Sequence, residues 1–352
     1  IAVKLAPANL KKEGLAYDLP IAVGILISFG QLDSTPAGSV FVGALSLDRS
    51  LRHTNGILAM MSVARDQVHT SAFVPSVDAD EASLVEDIPV LPVPTLEALG
   101  YDLLTTTTAQ RVRSLVRPFA WALAYAVFAG LGWWIPAVLS IAGLFLGVVA
   151  TTHDLVHRTL GLPRWLSEVA MALVGMLVLE SAHAYRATHL QHHRTFPDDD
   201  DPEGDPAHGS WWRALLAGPT FLYRLWVWVW RRVPEERGWL LLEAGWFLGV
   251  VALAVALWPA VPALGVYVAL VIVGSWTYPL TTVYLPHDAT AADALRQTKT
   301  LRGRFAPRLL LELSYHLEHH LYPAVPSHHY AELSRRLEPY LEAHGVEPVR
   351  FW

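Results

Sequence analysis

Apolar and charged positions divide the chain into two unlike parts. Residues 1–104 alternate short β-rich runs (40–47, 71–74, 88–93) with helical patterns (18–30, 55–67, 78–86). That alternation predicts a small soluble α+β domain. Residues 103–110, with four consecutive threonines, read as a linker. Beyond it the pattern turns apolar. Residues 118–152 form a run of 35 without a charge, broken at Gly132–Pro136 into two stretches of about 17, just long enough to cross a bilayer. Residues 239–258, with Glu243 as the one charge, and 260–280, with none, read as a third and a fourth span. Two interrupted apolar segments, 165–182 and 214–230, read as helices at the interface or packed on the catalytic domain. The expected fold is therefore mainly α. A four-span helical membrane domain over 105–352 carries a histidine-rich helical cap and follows the soluble domain of 1–104.

Charge gives the expected orientation. The turns between paired spans, GWWIP and WPAVP, are uncharged. Arg111, Arg113, Arg117, Arg158, Arg164, Arg231, Arg232, Arg302, Arg304, Arg335 and Arg336 all fall on the other side. The positive-inside rule puts that side, with both termini, in the cytoplasm. The first 104 residues hold 6 of the 26 Lys/Arg and 12 of the 32 Asp/Glu, which leaves 20 of each and a net of zero for the rest. No basic patch suggests a nucleic-acid partner. The chain opens on Ile1 with no signal peptide in view, and it reads as a fragment or a fused reading frame.

Composition narrows the chemistry. The sequence has no Cys and 16 His, so thiolate sites and iron–sulfur clusters are excluded and a metal must use His, Asp or Glu. Three clusters stand out: His153 and His157 in HDLVH, His189, His192 and His193 in HLQHH, and His316, His319 and His320 in HLEHH. On a helix, positions i, i+3 and i+4 share a face. Two spans separate the second cluster from the third, so all three return to one side of the membrane. Eight imidazoles exceed the needs of one metal. Ligand type alone does not choose among Zn, Cu, Fe and Ni.

These boxes, with HAYRATHLQHHRTFP around the second and YHLEHHLYPAVPSHHY around the third, resemble the membrane fatty-acid desaturase superfamily over about residues 110–352. The resemblance implies a di-iron centre held by the eight box histidines, with O2 as co-substrate and hydrogen abstraction from a lipid C–H bond. Members commonly carry a further His between the last span and the third box. His287, in LPHDAT, takes that place as a ninth ligand, and its neighbour Asp288 is a candidate acceptor for its other ring proton. Acyl desaturation is the favoured reaction, with carotenoid or other lipid hydroxylation as the alternative; DDPEGDP after the second box resembles both groups. No dinucleotide fingerprint or haem motif is present, so the electrons are expected from a separate donor such as ferredoxin. Residues 1–100 (VKLAPANLKKEG, YDLPIAVGIL, VFVGALSLDRSLRHTNGIL) resemble the later part of the N-terminal domain of magnesium-chelatase-related, ComM-like competence proteins. That resemblance implies a fold and no catalysis. Lys11, Lys12 and the acidic residues there read as a solvated surface.

Other histidines and carboxylates take plainer readings. His183 is structural or supports the ligands. His53, His69, His328, His329 and His344 are surface residues. Asp198–Asp201 form a solvated loop, while Asp154 and Glu318 are candidate acceptors for ligand imidazoles. Two rivals are weaker. A zinc protease needs a Glu where HDLVH has Asp and leaves two clusters unused. A metal transporter would bury its ligands inside the spans.

Overall fold

A computed structural model describes residues 15–28, 38–46, 50–95, 101–291, 293–303 and 314–351. Lys11, Lys12 and Arg304 lie outside them. The chain divides into two compact units, residues 1–105 and 106–352.

The first unit has helix α1 (Asp18–Ser28), strand β1 (Ser39–Phe41), a short antiparallel pair β2 (Ala44–Leu45) and β3 (Leu51–Arg52), α2 (Ile57–Asp66), β4 (Ser71–Pro75), α3 (Ala79–Ala82) and β5 (Val90–Val93). Strands β1, β4 and β5 form a parallel sheet in that order. Phe41 and Phe73 sit opposite each other in register, with rings 4.5 Å apart and stacked. Ile57, Met61 and Ala64 recur at i, i+4, i+7 and bury one face of α2 with Ala72 and Val74.

The second unit is a helical bundle with a small cap. Helix α4 (Thr108–Gly130) begins inside the run of threonines. Thr107 accepts from the Gln110 backbone, and the Gln110 side chain accepts from Thr107, a reciprocal cap that starts a helix where a linker was expected. Gly132, at φ +76, ends α4: the Trp133 and Gly132 N–H groups reach back to Phe128 and Ala129. Helix α5 (Trp134–Val156) then returns antiparallel to α4, followed by α6 (Arg164–Leu177), α7 (Ala182–Thr195), α8 (Trp211–Arg232), α9 (Arg237–Ala256) and α10 (Pro262–Ser275). A π-helical turn (Pro279–Tyr284), α11 (Ala294–Gln297), β6 (Leu301–Gly303), α12 (His316–Leu321), α13 (Tyr330–Ala343) and β7 (Val349–Phe351) complete the cap, with β6 parallel to β7.

Three helical stretches are long and apolar enough to cross a membrane: Trp134–Val156, Pro234–Ala256 and Pro262–Tyr284. The pair α6 and α7, bent by 107°, adds a fourth only if it is one broken span. The set differs from the expected four. Helix α4 drops out because Arg111, Arg113 and Arg117 occupy its first half, and the expected interfacial segment 165–182 belongs to the bent pair. Leu241, Leu242, Leu248, Leu253 and Val255 of α9 are exposed, an outward apolar face suited to hydrocarbon. Inward, Tyr125, Ile141, Leu144, Val148, Val174 and Val271 join α4, α5, α6 and α10 in one core. Helix α8 buries Ala214, Gly218, Phe221, Leu225 and Val229 along one stripe. A Cβ on Gly218 would stand 2.1 Å from the Trp276 carbonyl oxygen, so only glycine lets α8 come this close.

Candidate metal centre

Three helix segments and one turn bring nine imidazoles together. His153 lies in the last turn of α5, and His157 caps it. His189, His192 and His193 share a face of α7, whose start is capped by Ser181. Helix α12 carries His316, His319 and His320. The π-helical turn after α10 adds a residue to the helical repeat, as such turns do at functional sites, and delivers His287.

The ligand atoms fall into two groups, each within 4.8 Å: His153, His157, His189 and His319, then His192, His287, His316 and His320. His193 lies with His319 and His320 between them. The Nε2 atoms of His153 and His319 are 3.0 Å apart, those of His192 and His287 2.9 Å, and those of His287 and His316 3.1 Å. All nine sequence-predicted histidines are thus brought together, while His183 is held elsewhere.

The second ring nitrogens fix what the first can do. His192 Nδ1 donates to Asp201 Oδ2 at 2.6 Å, and His287 Nδ1 donates to the Val283 carbonyl at 2.7 Å. Both Nε2 atoms therefore present lone pairs. Two lone pairs facing at 2.9 Å make no hydrogen bond; a cation between them resolves the contact. Two nitrogens about 2.0–2.1 Å from one metal at a right angle are about 3 Å apart, which matches these spacings. His157 Nε2 is buried without a hydrogen-bond partner and points to the same need. Burial, reinforced by neighbouring imidazoles, holds His287, His316, His319 and His320 well below the ordinary histidine range. They are neutral at pH 7, the form that binds a metal. The donor set fits a pair of transition-metal ions.

Several supporting groups depart from the sequence reading. Asp198, Asp199 and Asp200 are exposed, but Asp201 is buried against His192 rather than in a solvated loop. Glu203 is buried too: it accepts from Thr188 at 2.6 Å, lies 3.6 Å from His189 Nδ1, and burial pushes it up to about 7. Tyr330 Oη lies 2.9 Å from His319 Nδ1. No sequence signal singled out Tyr330, whereas carboxylates close behind a histidine box were a usable one for Asp201 and Glu203. Asp154 accepts from Thr159 and from the backbone and hydroxyl of Ser327, tying the loop after the third box to the first. Glu318 accepts from Thr300. Asp288 accepts from Thr290, and His287 uses the Val283 carbonyl instead. His328 is half-buried rather than superficial, whereas His53 is exposed and bonded to Asp78.

A helical bundle with an outward apolar face and a cap-side cluster of nine imidazoles that could hold metal ions is the class of architecture the fold and site define. Residues 131–352 match the family model described as fatty acid desaturase, and the chain belongs to that family. Residues 1–78 match subunit ChlI of Mg-chelatase. The chain is 27% identical to dihydrorhizobitoxine desaturase of Bradyrhizobium elkanii over 252 residues, which cover 57% of this chain and 69% of that one. It is 30% identical to a beta-carotene ketolase of Paracoccus sp. over 217 residues (58% and 76%). The N-terminal unit is 41% identical over 88 residues to competence protein ComM of Haemophilus influenzae, covering 25% of this chain but only 17% of that protein.

Proposed function

We propose that the chain is a di-iron, O2-dependent lipid oxidoreductase whose reaction is fatty acyl desaturation, with the histidine-rich face and both termini in the cytoplasm. The observation that carries this reading is the convergence of nine imidazoles, whose ligand atoms fall into groups within 4.8 Å. His153, His157, His189, His192, His193, His287, His316, His319 and His320 would hold the metals. When bound, two irons supply O2 activation and hydrogen abstraction from an unactivated C–H bond. The chain's own residues do the rest. Asp201, the Val283 carbonyl and Tyr330 orient His192, His287 and His319 and keep their Nε2 atoms turned inward. Leu144, Val148 and Val174 of the bundle core keep water from the buried side. Reduction of O2 alongside a two-electron substrate oxidation takes two further electrons, which come from a separate donor such as a ferredoxin.

The ketolase likeness keeps oxygenation of a carotenoid or another lipid as the second reading on the same site. Lipid profiling of a host expressing the chain separates the two: new double bonds in acyl chains support desaturation, and oxygenated products with unchanged acyl chains contradict it. Comparing His287→Ala with His316→Ala tests the ninth ligand. Both should lose iron and activity. Full iron and full activity in His287→Ala alone would remove it from the site.

A further inference from the structure

The start of α4 and the end of α5 carry a cluster of basic and polar side chains that the metal centre does not use. Arg113 and Arg117 stand at i and i+4 on α4, hence on one face. The Thr151 hydroxyl donates to the Ser114 carbonyl at 2.8 Å, which fixes this turn of α4 against the end of α5. The Arg117 side chain runs along α5 at Gly147. Ser327 is bonded to Asp154 through its N–H at 2.9 Å and its hydroxyl at 2.8 Å, so His328 is brought to the same place. Thr151 and Asp154 flank His153 on one helical turn, which puts the cluster directly beside the first box.

Three polar atoms here lack a partner from within the protein. Among the described residues, Ser114 Oγ, Thr152 Oγ1 and His328 Nε2 are buried without a hydrogen-bond partner. Ser114 and Thr152 are 8% and 4% exposed. Burial, reinforced by His329, Arg113 and Arg117 nearby, pushes His328 down to about 4. A site with cations, hydroxyl donors and a ring nitrogen awaiting a partner suits an oxyanion.

We propose that Arg113, Arg117 and His328 seat the anionic headgroup, a carboxylate or phosphate, of the lipid on which the centre acts; this rests on the reading of that centre as a lipid oxygenase. The two guanidinium groups neutralise the headgroup at the water boundary, Ser114 and Thr152 donate to its oxygens, and the apolar chain enters between the helices toward His153. An uncharged carotenoid leaves this seat empty, so the cluster favours acyl lipids.

Native mass spectrometry of the metal-loaded full chain in a neutral detergent tests the seat without turnover, with palmitate, hexadecyl phosphate and hexadecanol as probes. The acid and the phosphate should each bind at least about tenfold tighter than the alcohol, the discrimination one charge-assisted bond gives. In the R113Q/R117Q variant that preference should fall below about twofold, with alcohol binding and iron content unchanged. The R113K/R117K variant, which keeps the charge, should retain most of it. Equal binding of acid and alcohol by the unaltered chain, or a preference that survives in R113Q/R117Q, overturns the proposal. Inorganic phosphate should compete only weakly with palmitate; full displacement by phosphate at matched concentration would reassign the cluster to a free anion and also overturn it. Iron content is read separately, so failure here leaves the reading of the metal centre intact.

Discussion

Asp201 shows how one side chain decides the chemistry of another. Its carboxylate, 2.6 Å from His192 Nδ1, fixes the tautomer that turns His192 Nε2 toward the cluster. Asp201→Asn keeps the volume and loses the charge. Metal affinity should fall by about 10–100-fold, the usual cost of removing such a partner, as read by competition with a chelator; unchanged affinity would show that Asp201 does not orient the ligand. The histidines also give a sign for pH. In the folded chain His287, His316, His319 and His320 are held well below the ordinary range by burial and mutual repulsion, while in the unfolded chain they titrate near about 6.5. Below that pH unfolding takes up protons, so stability falls as pH drops; above it this contribution vanishes. The melting temperature of the metal-free protein should therefore decline from pH 7 to pH 5. A flat profile would mean the imidazoles are not buried together.

At the scale of elements, the single charge of the third expected span finds its purpose. Glu243 of α9 accepts from His183 Nδ1 at 2.7 Å and from the Ser181 hydroxyl at 2.6 Å. His183 Nε2 lies 3.1 Å from Glu168, which also binds Arg186. This buried network pins the start of α7, the helix of the second box, to α6 and α9. Glu243→Leu leaves His183 and Ser181 without their acceptor and should cost about 3–5 kcal/mol. Adding His183→Leu should cost much less than the sum of the two single changes. Simple additivity in thermal unfolding would contradict the coupling. The sequence showed the box spacing, the helices that carry it and the break at Gly132, because these are local patterns. It misjudged α4 because Thr107 and Gln110, read as loop residues, form a cap. It left Asp201 in solvent because its burial depends on how the chain folds back beyond α7, which periodicity does not record.

At the scale of the whole molecule, two compact units that match different families share one chain. The first has a parallel sheet with its own core, and all nine clustered imidazoles belong to the second. The cluster is the point at which the bundle, the bent helix pair and the cap must all be right together, since no one element supplies either group of ligands. Metal analysis of the purified full chain with Mössbauer spectroscopy therefore tests the account most directly. Two irons per chain in nitrogen-rich coordination are expected, lost when His193 or His319 is replaced. A single zinc, or no stoichiometric metal in protein that remains folded, would contradict it.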